Sequence, residues 1–510
     1  MVNLDGRHLS ISDVAKIAYE YEKVSVSEKV YQKLANVRKV LENYVENQIP
    51  IYGVTTSFGE MVLHLIPSKY ERLLQENLIR SHACQVGDEY SVSEVRAIML
   101  ARANCLAYGN SGVKPETLKL LVSFLNLGIH PVIRELGTVG ASGDLGPLSQ
   151  IALALIGEGY VRISGYSKII EASEALKMFG LKPLKLGYKE GLALINGTSA
   201  STGVACLNIY HAKKLLANAI KIASISLEAL NASTKAFDVK GQKGHHGQIF
   251  IASKISRILS SSKLVRPQSL IMNKLKSVYS NEKVIDVSEY IQDAYSLRCI
   301  PQVMGPVVDT LQWASAIVTQ ELNSPNDNPL FFEDGDVFHG GNYHGQYIAN
   351  AMDYLAIALT QLGNLSERRL NRLIDKNLNK GLPEFLTPKE VGLNLGFEGL
   401  QYVAVEACAE NRVLSTPASI QNIPSNEENQ DIVPMADWAS RKCRKIIQNL
   451  AIILACEAIA ACQAVEFRGI DKMSKTTRAF YKQIRKLVPK LEDDRPLGED
   501  IARVAHHILS

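Results

Sequence analysis

Apolar residues recur along this chain mostly at intervals of three and four, the spacing that lays one side of a helix against a core. In 92-VSEVRAIMLARANCLAYG-109, Val95, Ile98, Met99 and Leu106 fall on one stripe, with Gly109 as the stop. Arg102 interrupts that stripe. Helical patterning continues for many turns through 203–230, 308–322, 349–376 and 436–465, with Gly363 the one tolerated glycine of the third run. These runs are apolar on several faces, which predicts a bundle whose central members are covered on most sides. Strand patterns are few and short: 160-YVRIS-164 and the pieces around 50-PIYGV-54. There is no strand–helix alternation, no repeat of about 20–50 residues and no Pro/Ser-rich linker. The expected fold is mainly α: a long central helical bundle over 201–510, with a smaller N-terminal part over 1–200, acting as one integrated unit.

Composition narrows the function classes. A net charge of +4 from 56 basic and 52 acidic side chains is close to balance and gives no nucleic-acid footprint. The eight cysteines are scattered without CxxC spacing, mostly in apolar runs such as 456-CEAIAAC-462. That usage predicts reduced, buried thiols in a cytoplasmic protein. The N-terminus lacks a basic region leading into an apolar one, so secretion is not expected. The apolar run 451-AIILACEAIAACQAV-465 contains Glu457 and is short for a membrane span, so it is expected to be a buried helix and membrane association is not expected.

Polar, Gly- and Asn-rich segments punctuate the helices at 52–60, 137–146, 195–200, 323–329, 340–346 and 421–431. Loops on a rigid helical scaffold are where sites usually lie, and six of them suggest convergence on one pocket. The most unusual is 137-GTVGASGDLG-146, with glycines every third residue. It lacks the lysine of a phosphate loop and the interval of a dinucleotide fingerprint, and Asp144 would repel an anion. Two readings stay open from pattern alone. One is a plain helix entry, with Ser142 or Asp144 capping a helix that starts near Pro147. The other is chemical: the Gly143 amide nitrogen attacks the Ala141 carbonyl, water is lost, and loss of the Ser142 hydroxyl leaves an exocyclic methylene. Glycine is needed at 143 because a Cβ would block the bend. The product would be 4-methylideneimidazole-5-one (MIO), an electrophile made from the chain itself.

The run 140-GASGDLGPLSQIAL-153 resembles the signature of the MIO-dependent aromatic amino-acid ammonia-lyases and 2,3-aminomutases. The likeness extends over nearly the whole chain, through 51-IYGVTTSFGE-60, 77-NLIRSHACQVG-87, 189-KEGLALINGTSA-200, 294-AYSLRCIPQVMGP-306, 323-NSPNDNPLFF-332, 337-VFHGGNYHGQ-346 and 425-SNEENQD-431. It implies a helical homotetramer with active sites shared between chains, an MIO group formed from Ala141, Ser142 and Gly143, and no metal. It further implies that Asn196 holds the oxygen of the group, with Asp144 beside it. Tyr52 matches the usual general base, a role that requires its phenol to be lowered by its surroundings. Tyr290 matches a second tyrosine near the amine. Arg298 matches the arginine whose two-pronged guanidinium takes the substrate carboxylate. Asn326 and Gln430 match further polar contacts.

The substrate ring is expected near 80-RSHA-83. Ser81–His82 matches the pair of histidine enzymes, but Arg-Ser-His also occurs in tyrosine-active lyases and tyrosine aminomutases, where His82 would donate to or accept from a phenolic hydroxyl. Three features favour tyrosine: 344-HGQ-346 in place of the His-Ala-Glu of histidine enzymes, Glu60, and Tyr402, the last two matching ring-end residues of tyrosine aminomutases. Glu410 matches a carboxylate of histidine enzymes and keeps that alternative in view. Ser57 stands where glycine is common and Tyr343 where phenylalanine is usual, departures that bear on substrate choice and on the partition between lyase and mutase. The expected reaction is elimination of ammonia from tyrosine to p-coumarate, with re-addition to β-tyrosine as the mutase variant. Histidine to urocanate is the alternative, and a non-catalytic helical assembly protein is the remaining one.

Overall fold

A computed structural model describes the whole chain except Ser288 and Glu289. The fold is mainly α-helical, and four of its helices are long: Ser199–Ala229, Ile300–Leu322, Gln346–Ile374 and Ala436–Arg468. These match the four long patterned runs to within two residues at their C-terminal ends or extend beyond them. Ile300–Leu322 begins eight residues before the pattern suggested, because Gly305 and Pro306 read as breakers yet lie inside it. The missing side chain at Gly305 leaves room for the Gln248 backbone, whose amide nitrogen would be 2.7 Å from a Cβ there. Packing of this closeness outweighs local propensity.

Strands among the described residues run two to four residues in four small sheets. Tyr160–Ile163 is the middle strand of one, flanked antiparallel by Ile129–Pro131 and Ile169–Glu171. The strand expected around 50–54 does not form. Gly53 takes φ +65° there, and the Ile51 amide donates to Thr55 Oγ1 at 2.8 Å, so the segment turns instead of extending.

The chain forms two compact units. The first comprises 1–210, 314–353 and 417–444; the second comprises 211–313, 354–416 and 445–510.

In the first unit, helix Val92–Ala107 opens with a reciprocal cap. The Ser91 hydroxyl accepts from the Glu94 amide, and the Glu94 carboxylate accepts from the Ser91 amide at 2.9 Å. This helix is buried on nearly every side, Arg96 and Arg102 included. A cluster of Val37, Leu41, Ile51, Val54 and Phe331 lies under the Tyr52 turn, so two of its residues anchor that turn from either side of the tyrosine.

The second unit buries an ion pair. Arg369 meets Glu457 at 2.6 and 2.8 Å, Ser226 and Ser366 donate to the same carboxylate, and both charged side chains are fully enclosed. The apolar window of helix Ala436–Arg468 is long enough to cross a bilayer, but 83% of it is buried within the protein.

Candidate active site

All six polar loops lie in the first unit, and hydrogen bonds chain them together. The Asp144 amide donates to Gly197 O at 2.7 Å, and the Asn328 amide to Asn196 Oδ1 at 2.8 Å. The Gly345 amide reaches Gly140 O at 3.1 Å. Gln430 Nε2 reaches Ser142 Oγ at 2.8 Å, and Asn429 Nδ2 reaches Glu60 Oε2 at 3.3 Å. Tyr52 Oη accepts from the Gly59 amide at 2.9 Å and closes the last loop on itself.

The turn at 140–143 is tight. Gly140 and Gly143 both take left-handed φ, +76° and +77°, and their backbones pair with each other across the Ala141–Ser142 corner. Gly143 also lies flat against Gly197. A Cβ at 143 would sit 2.3 Å from the Gly197 carbonyl oxygen and 2.4 Å from its amide nitrogen. Glycine is therefore needed for conformation and for space.

The helix after the turn starts at Leu145, two residues before Pro147, with Asp144 in the N-cap position, but neither Ser142 nor Asp144 caps it with a side chain. Asp144 faces elsewhere: its Oδ2 accepts from the Ser201 amide at 2.8 Å and from the Ser201 hydroxyl at 2.9 Å. Its Oδ1 is buried without a partner. Burial, then the nearby Asp437 carboxylate, push the Asp144 carboxyl up to about 7.

The residues around the corner fit the cyclised group. Asn196 Nδ2 donates to the Ser142 carbonyl at 2.7 Å, and its Oδ1 is occupied by the Asn328 amide, which fixes which way the side-chain amide faces. Gln430 donates to the Ser142 hydroxyl, the group whose loss would create the methylene. The loop carrying Gln430 is held by three successive left-handed residues, Asn426, Glu427 and Glu428, a strain that accumulates at functional sites.

Ser142 and Gly143 open into a cavity of about 610 Å³ that His82, Gln430, Trp438 and Arg441 also line. His82 is the last residue of helix Glu71–His82, and its Nδ1 lies 2.8 Å from Leu78 O. Asn326 is buried near Asn196, with its Oδ1 accepting from Cys105 Sγ at 3.2 Å. Tyr343 stands near Tyr52. The Tyr52 phenol is not lowered, as a general base would require. Burial raises it, Tyr343 adds to the rise, and the Gly59 amide only partly opposes it.

Four expected site residues fall in the second unit: Tyr290, Arg298, Tyr402 and Glu410. Tyr290 and Tyr402 are 71% and 63% exposed, and Tyr402 Oη donates to Glu398 Oε1 at 2.8 Å. The Arg298 guanidinium lies 4.7 Å from the centre of the Tyr295 ring. Glu410 accepts from Asn449 Nδ2 at 2.7 Å and pairs with Lys445 at 3.6 Å.

Sequence reasoning missed Gly197, Trp438, Arg441 and Arg102. Arg102 donates from Nη1 to Asn196 O at 2.7 Å, and its place on an apolar stripe was the signal that would have found it. Trp438 and Arg441 sit in the first turns of a helix whose remainder is plain core, so their pattern carried no such signal.

Residues 9–486 match the family described as aromatic amino acid lyase. Tyrosine ammonia-lyase of Cupriavidus metallidurans is 46% identical over 507 residues, 99% of this chain and 95% of that one. MIO-dependent tyrosine 2,3-aminomutase of Streptomyces globisporus is 44% identical over 509 residues, 99% and 94% of the two chains. A crystal structure of tyrosine aminomutase from Streptomyces globisporus superposes with a TM-score of 0.96 at 43% identity, covering 100% of this chain and 96% of that one.

Proposed function

Because the chain belongs to the MIO-dependent aromatic amino-acid ammonia-lyases and aminomutases, we propose that it eliminates ammonia from L-tyrosine to give p-coumarate. The observation that carries the substrate choice is the shared cavity of Ser142, Gly143, Gln430 and His82. It supports a reading in which His82, which lines the space that opens from the reactive corner, pairs with a phenolic hydroxyl that is costly to bury alone. Glu60 accepts from Asn429, the neighbour of Gln430, and this supports the reading of a carboxylate acceptor for the same hydroxyl.

MIO, which would be formed from Ala141, Ser142 and Gly143 and held by Asn196, would supply an electrophilic methylene for activation of the substrate amine as a leaving group. The remaining work falls to side chains. Asn196 directs an amide N–H at the Ser142 carbonyl oxygen, where it stabilises negative charge as that charge arrives. Tyr52 removes the β-proton. It does so as the phenolate: burial keeps most of the phenol protonated at neutral pH, and the accepted Gly59 N–H stabilises the minority that has already released its proton to solvent. Asn326 and Gln430 orient the polar end of the substrate.

Tyr290, Arg298, Tyr402 and Glu410 reach the reactive corner from other copies of the chain in a homotetramer. Tyr402, Val405 and Val413, all exposed on helix Glu398–Leu414, support burial by further copies. A cytoplasmic setting is supported by the eight free thiols.

Incubation with tyrosine, phenylalanine and histidine in turn, with product analysis, tests the proposal. Coumarate from tyrosine is expected. β-Tyrosine would move the chain to the aminomutases, and urocanate from histidine would overturn the substrate. Undiminished turnover by Ser142→Ala would overturn the chemistry.

A further inference from the structure

Arg102 lies in the middle of helix Val92–Ala107 with no exposed surface. Its guanidinium is spent on neutral acceptors. Nη1 donates to the Asn196 carbonyl at 2.7 Å and Nη2 to Cys105 Sγ at 2.8 Å, while Nε is buried without a partner. Cys105 passes the contact on, donating to Asn326 Oδ1 at 3.2 Å. One guanidinium thus braces both asparagines that flank Gly197. Gly197 makes this possible, because a Cβ there would lie 2.6 Å from Arg102 Nη1 and 2.4 Å from Asn326 Oδ1.

The charge balance of this pocket is uneven. Lys189, also fully buried, meets Asp327 at 2.8 Å, and Asp327 has no exposure either. Asp327 therefore serves Lys189, and Arg102 has no carboxylate among its hydrogen-bond partners. A guanidinium does not shed its proton in a protein, so the positive charge stays. Buried charge without a counter-charge is expensive, and it favours negative charge nearby. The next polar group beyond Asn196 is the Ser142 carbonyl oxygen, 2.7 Å from Asn196 Nδ2.

We infer that Arg102 is a positioning residue that holds Asn196 and Asn326 in place and lends uncompensated positive charge to the Ser142 carbonyl oxygen. The inference rests on the reading that Ala141, Ser142 and Gly143 cyclise. Under it, the same oxygen stays on the ring and carries negative charge during turnover. A charge fixed before the reaction begins costs no reorganisation when that charge develops.

The test uses the full-length protein with Arg102→Lys, which keeps the charge; Arg102→Gln, which keeps a donor without charge; and Cys105→Ala, which removes the acceptor of Arg102 Nη2 and the donor to Asn326 while leaving the Arg102–Asn196 bond and the charge. Intact mass counts the molecules that have lost two waters. Near-UV absorbance reads the electronic state of the group, and kcat and KM for tyrosine are normalised to the matured fraction. Arg102→Gln is expected to move the near-UV band to shorter wavelength. It should also lower kcat by on the order of tenfold to a hundredfold, below the loss from deleting a direct donor. Arg102→Lys should fall between it and the unaltered protein, and Cys105→Ala should raise KM with the band unmoved.

Equal bands and equal kcat in Arg102→Gln and Arg102→Lys would overturn the charge role. Should Arg102→Gln not fold, an unmoved KM in Cys105→Ala would overturn the bracing role. An unaltered protein that has lost no water would instead overturn the cyclisation reading beneath the inference.

Discussion

Gly143→Ala separates two reasons for a glycine, conformation and space. At position 143 an alanine faces a left-handed φ of +77° and a Cβ 2.3–2.4 Å from three backbone atoms of Gly197. Gly165 is a matched control, with φ +83° and nothing within 4 Å of its would-be Cβ. The left-handed conformation costs about 1–2 kcal/mol at either position. Overpacking adds about 1–3 kcal/mol at position 143 alone, because backbone gives less readily than a side-chain tip. The expected losses are therefore roughly 2–5 kcal/mol for Gly143→Ala and about 1–2 for Gly165→Ala. Urea unfolding measures both, and intact mass measures whether two waters are still lost. Gly143→Ala should retain the uncyclised mass, since relief of the collision pushes residue 143 away from Gly197 and opens the turn. The reasoning fails if the two variants unfold at the same midpoint, or if Gly143→Ala loses both waters.

Replacing Glu457 with glutamine leaves Arg369 buried and unpaired, and should cost about 3–5 kcal/mol by urea unfolding. Replacing both partners with leucine should cost less, because no charge is then stranded. Asp144 should make stability pH-dependent. Its folded carboxyl, raised from 3.8 to about 7, holds a proton more tightly than the unfolded chain does. Its contribution is complete below about pH 4 and is lost as pH rises through about 7, so Asp144→Asn should lose less stability than the parent protein between about pH 5 and pH 8. Tyr52→Phe should lower kcat/KM by roughly 10²–10⁴ while keeping the mass loss of two waters. With its phenol raised, the unaltered protein should gain kcat/KM as pH climbs above neutral, and a flat profile there would remove Tyr52 as the base.

The division between what was legible in the chain and what was not follows the range of the interactions. Helix positions depend on neighbours three and four residues away, so the long helices could be read from spacing alone. The exception, the start of Ile300–Leu322, depended on a Gly305 contact with Gln248, far away in the chain. The 50–54 segment misled because its alternating apolar residues belong to a turn anchored by Ile51 and Val54. The Ala141-Ser142-Gly143 triplet alone left two readings open, and the family motifs that accompany it along the chain, each a short run of consecutive residues, are what made the reaction class legible in the sequence. What tertiary structure decided was geometry between distant residues. It set the amide of Asn196 on the Ser142 carbonyl, the amide of Gln430 on its hydroxyl, and the closeness of Gly197 that makes Gly143 irreplaceable. It also set the environments that move protons, lifting Asp144 and Tyr52 by burial, which no local pattern encodes. Arg102 shows the difference most plainly. In the sequence it interrupts an apolar stripe, and in the folded chain it is the cation behind the site, because only folding brings residue 196 to residue 102.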